Sequence, residues 1–199
     1  MQAGWQVVVA DTHAEGGRVA RAAPADQYVG APVGVAAAAL AALAFASYPL
    51  GSAAALAAFL AAVLVVIAAI DLRSMTIPNR IVLPAIAIVL IADLAFFPGR
   101  TAELVLAAAV AGTVLLVPSL INRSWMGMGD VKLALLLGLA LGWAAIGALM
   151  IAFVTVLPVA LVMVLRGGTP ARKAALPFGP FIAFGALIVL IVPRLVGLG

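Results

Sequence analysis

A chain of 199 residues that is 67% hydrophobic and only 9% charged, with a mean hydropathy of +1.31, is not a water-soluble domain, because such domains carry about a quarter charged residues. Its formal net charge of +4 is scattered between apolar runs, which excludes a nucleic-acid surface and fits loops that set membrane topology. There is no cysteine and one histidine, His13, so disulfides, thiolate chemistry and Cys or His metal cages are excluded and no cofactor is expected.

In chain order, residues 1–28 mix charges such as Asp11, Arg18 and Asp26 with glycine and alanine, and read as a polar cytoplasmic leader. Residues 29–199 read as one transmembrane domain. Apolar runs predict spans over about Val29–Tyr48, Ala53–Ile70, Ile81–Phe97 and Ala102–Ile121, each near the ~20 residues that a bilayer requires. Turn signals separate them, among them Pro49–Leu50–Gly51 and Pro98–Gly99–Arg100.

Residues 131–165 are too many for one span. Gly142–Trp143 near their middle divides them into short helices, about Val131–Leu141 and Ala144–Leu165, with Pro158 kinking the second. A basic loop from Arg166 to Lys173 precedes a last span, about Phe178–Val192. Seven spans then place every basic residue except Arg100 and Arg194 on one side, and six would break that asymmetry. The predicted fold is therefore an all-α polytopic membrane protein of about seven transmembrane helices with a cytoplasmic N-terminus. The lipid bilayer is its first partner.

Two acids stand out. Asp71 closes the second span, and Asp130 opens the fifth behind Gly127 and Gly129. Two spans lie between them, so both fall on the cytoplasmic side. An acid at a helix end is ordinarily an interfacial residue, and Asp93 and Glu103 fit that reading, with Arg100 able to neutralise one of them. Asp71 and Asp130 differ. The two glycines let another backbone or an extended substrate come close. Asp130 precedes a helix and Asp71 follows one, so the fields of the helix ends push their proton affinities apart. Neighbouring carboxylates also resist double ionisation and share one proton, which suits one acid and one base acting on water.

Asp71 with Ile77–Pro78–Asn79, then Gly127–Met128–Gly129–Asp130–Val131–Lys132, then Pro177–Phe178–Gly179–Pro180–Phe181 resemble the type IV prepilin peptidases and archaeal preflagellin peptidases, which are GxGD-type intramembrane aspartic proteases. The resemblance covers roughly residues 53–195. It implies a six-helix peptidase core, here with one extra N-terminal helix. It also implies cleavage of the short basic leader of a prepilin-like substrate protein, after a glycine, at the cytoplasmic face of the inner (plasma) membrane.

Carried over, the catalytic pair is Asp71 and Asp130. Gly127, Gly129, Pro177, Phe178, Gly179 and Pro180 are the substrate-binding candidates. Lys132 is expected to steady a loop or bind lipid phosphate, and Pro78–Asn79 to start a helix. Longer bacterial members carry a cysteine-bearing N-terminal region and methylate the new amino terminus. The absence of cysteine here predicts a peptidase-only short form. The alternatives are a small proton-coupled carrier, which would show matching broken helices in two halves, and a non-catalytic subunit of a pilus or secretion assembly. Neither nucleic acid nor metal is an expected ligand, and the sequence leaves the oligomeric state open.

Overall fold

A computed structural model describes residues 30–121, 127–171 and 176–195; the predicted leader, residues 1–28, lies outside them. The described residues form seven α-helices and no strand: α1 (Ala31–Ala46), α2 (Ser52–Ser74), α3 (Asn79–Phe96), α4 (Thr101–Ile121), α5 (Met128–Leu141), α6 (Ala144–Ala171) and α7 (Gly179–Leu195). A 3-10 turn, Pro98–Arg100, leads into α4. With no water in a bilayer to satisfy amides, helices keep every backbone hydrogen bond within the segment. Four of the seven, α2, α3, α4 with its 3-10 turn, and the Ala144–Met163 part of α6, are long and apolar enough to cross a membrane on their own. The chain is an all-α, multi-pass membrane protein.

The helix boundaries follow the hydropathy with two exceptions. α2 continues past Asp71 to Ser74, where Met75 adopts a left-handed φ of 49° and its N–H bonds back to the Asp71 carbonyl. α6 passes through Pro158 and runs on to Ala171, so part of the predicted basic loop is helical. Hydropathy marks where a helix leaves the hydrocarbon, and intrahelical hydrogen bonding continues beyond that point.

Within the bundle α5 is the central element. It packs against α3, α4, α6 and α7, and Val131, Leu133, Ala134, Leu136 and Leu137 are all buried. Its 14 residues span roughly 21 Å, less than the ~30 Å of a hydrocarbon core. The other close pairs are α1 with α2 and α6 with α7. Small residues make these seams, as expected where packing and not water drives association. A Cβ on Gly138 of α5 would run into the backbone of Ala108 on α4, and one on Gly185 of α7 would strike the Ala148 carbonyl of α6.

Candidate active site

Asp71 sits in the last turns of α2 and Asp130 in the first turn of α5. Both carboxylates are nearly enclosed, at 4% and 9% exposure, and the charge of Asp71 acts directly on that of Asp130. Each is held by one backbone N–H. Gly179, the first residue of α7, donates to Asp71 Oδ2 at 2.9 Å. Gly127 donates to Asp130 Oδ2 at 3.3 Å, while the Asp130 N–H donates to the Gly127 carbonyl at 3.1 Å. This reciprocal pair fastens the carboxylate to the start of its own helix, as the acidic member of a capping box does. The remaining oxygen of each, Oδ1, bonds to no described residue.

The expected contrast in helix-end fields is corrected by this geometry. Asp71 follows most of α2, yet its carboxylate reaches the N-terminus of α7, where unpaired N–H groups favour an acceptor. Both acids therefore face a helix N-terminus, one its own and one borrowed.

The glycines do different work. A Cβ on Gly179 would stand 2.7 Å from Asp71 Oδ2, so the missing side chain is what admits the carboxylate. A Cβ on Gly129 would stand 2.7 Å from the Cβ of Ile77, so the clearance there is taken up by the chain's own α2–α3 connection. At Gly127 the nearest atom to such a Cβ is Asp130 Oδ2 at 3.4 Å. Phe178 caps α7, its carbonyl accepting from Phe181 and Ile182, each at 3.1 Å. Its ring leans on Phe153 of α6 with centroids 5.2 Å apart. Pro180 lies in the first turn of α7, where a missing N–H costs no helical bond. Pro177 is in the non-helical lead-in and half-buried.

Two contacts were not legible as such in the sequence. Ile77 packs on Gly129, and the Lys132 ammonium donates to Asn79 Oδ1 at 2.7 Å across the surface. Together with the Asp71–Gly179 bond they draw three separated segments, 71–79, 127–132 and 177–181, to one end of the bundle. Their presence as three short motifs in one chain was the available signal. Trp125 and Met126, just ahead of Gly127, lie outside the described residues.

A sequence profile of the type IV leader peptidase family matches residues 58–167, more than half of the chain. The chain belongs to this family. The match takes in Asp71, Ile77–Asn79 and Gly127–Lys132 and stops short of Pro177. The leader peptidase segment thus carries both Asp71 and Asp130, and the α7 start that holds Asp71 follows it. No significant match appears among curated proteins, and none among solved structures. Family membership makes the chain a membrane protease of the leader peptidase type.

Proposed function

We propose that this protein is an aspartic endopeptidase of the inner (plasma) membrane. It removes the short basic leader of a type IV prepilin-like protein after a glycine at the cytoplasmic face, with Asp71 and Asp130 as the catalytic pair. The observation that carries the reading is the joint placement of two buried carboxylates on separate helices, each anchored through Oδ2 by a glycine N–H, with Asp71 near enough to bear electrostatically on Asp130.

In this reaction one carboxylate is ionised and its partner protonated, since two adjacent charges in a low-dielectric site repel. The ionised group takes a proton from a water held between the two carboxyl groups, and the water oxygen attacks the scissile carbonyl carbon. The protonated group donates to the carbonyl oxygen as it becomes an alkoxide. Collapse of the resulting gem-diol breaks the C–N bond: the proton taken from water passes from the first carboxyl to the leaving amine, and one diol hydroxyl returns its proton to the second carboxylate, which restores the starting pair. The anchoring N–H groups hold both acids in place through the cycle, so little reorganisation is needed at the transition state.

An extended substrate segment runs past Gly127 and the Pro177–Phe178 lead-in. Gly129 and Gly179 contribute by admitting Ile77 and Asp71, and Pro180 by starting α7 without an amide to satisfy. The test is cleavage of a tagged prepilin by membranes holding the full chain. Wild type shortens the precursor, and Asp71→Asn and Asp130→Asn each abolish this at unchanged protein level. Retained cleavage by either variant refutes the pair.

A further inference from the structure

At the opposite end of the bundle lies a cavity of about 470 Å³, walled by Leu60 of α2, Val89 and Asp93 of α3, Arg100, and Leu141 of α5. Asp93 lies roughly 21 Å along α3 from Asn79, so this cavity is remote from Asp71 and Asp130. The sequence suggested that Asp93 is an ordinary boundary charge, and the structure corrects this. Asp93 is only 4% exposed, and its Oδ2 is enclosed without a hydrogen-bond partner among the described residues. Arg100 acts on it electrostatically. Its side chain is 65% exposed, however, and its Nε lies 4.0 Å from Glu103.

A buried acceptor left unmade is costly, the more so when it belongs to a carboxylate among apolar side chains. The arrangement suits a ligand of particular order. The deep end must donate N–H and carry positive charge, the rim must be anionic, and the body must tolerate apolar walls. A primary ammonium joined by a short bridge to a phosphate on a hydrocarbon body meets all three. A trimethylammonium cannot donate, and a glycerol phosphate lacks the cation. We propose that this cavity binds an aminophospholipid, its ammonium donating to Asp93 and its phosphate facing Arg100. The site is independent of the proteolytic reading.

The full chain is reconstituted in phosphatidylcholine vesicles containing a minor fraction of either phosphatidylethanolamine or phosphatidylglycerol, then extracted and examined by native mass spectrometry. Wild type retains the ethanolamine lipid about tenfold over the other two, the factor that one charge-assisted hydrogen bond supplies. Asp93→Asn loses that preference. Ala53→Leu, which grows a side chain into the cavity without changing charge, loses it as well. Arg100→Gln, which removes a partner for the phosphate common to all three lipids, weakens retention of each and leaves the preference in place. Equal retention of all three lipids by wild type overturns the proposal. So does undiminished ethanolamine preference in Asp93→Asn, or, should that variant not fold, in Ala53→Leu. Displacement of the lipid by free phosphoethanolamine at equal concentration overturns the assignment to a membrane lipid.

Discussion

Gly179 and Asp71 stand 108 positions apart in sequence and share a buried 2.9 Å hydrogen bond from amide to carboxylate. The bond lets the start of the last helix fix an acid on the second. A Cβ at 179 would be 2.7 Å from the accepting oxygen, so Gly179→Ala must move one or the other. A hydrogen bond to a charged group contributes about 1.5–3 kcal/mol. If that is lost from the transition state, leader cleavage falls by roughly ten- to a hundredfold. Initial rates on a purified prepilin, with protein level and helicity matched to wild type, measure it.

The two glycines ahead of Asp130 should not be equivalent. Gly129→Ala drives a methyl into Ile77, whereas Gly127→Ala meets nothing nearer than 3.4 Å and has ordinary extended backbone, with φ −76° and ψ 147°. Thermal unfolding in detergent should show Gly129→Ala destabilised by about 1–3 kcal/mol, as overpacking usually costs, and Gly127→Ala near wild type. The reverse order would contradict the packing described for Ile77.

Lys132 and Asn79 act as one unit. Lys132→Met and Asn79→Ala each break the 2.7 Å bond that ties the start of α3 to α5. Each should slow cleavage by less than about tenfold, and the double variant should be no slower than the worse single, the non-additivity of residues in direct contact. Additive losses in a rate-based double-mutant cycle would show that the two residues work separately.

Gly138 is the tightest seam between α4 and α5. Even alanine there meets the Ala108 backbone, which cannot yield as a flexible side chain can. Gly138→Val is expected to leave little folded protein after detergent extraction, read by size-exclusion recovery. Gly147→Ala, whose added methyl would meet only Val189 at 4.0 Å, should extract normally.

Much of this architecture was legible because a bilayer imposes length and composition on each span. The boundaries at Ser52, Asn79 and Ala144 follow from apolar runs and their punctuation by Gly51, Pro78 and Gly142. Parity of spans also placed Asp71 and Asp130 at one end. Rotation of each helix about its axis was not legible. In lipid the outside is as apolar as the inside, so no periodic polar face reveals which way a residue points. That is why Asp93 read as a boundary charge although it is enclosed. The reach of Asp71 to Gly179 was hidden for another reason. It depends on α2 and α7 packing together, a relationship between distant segments that local pattern does not encode.

The position of α5 bears on how the protein matures. At 14 residues, with Asp130 and Lys132 in its opening turns, this segment is a poor candidate to settle in lipid unaided, and its neighbours supply the surroundings it lacks. One anchor of the acid pair arrives only with α7. A nascent chain in which α7 has not yet inserted would carry both carboxylates but lack the amide that anchors Asp71, so the proposed hydrolytic pair would be assembled late in insertion.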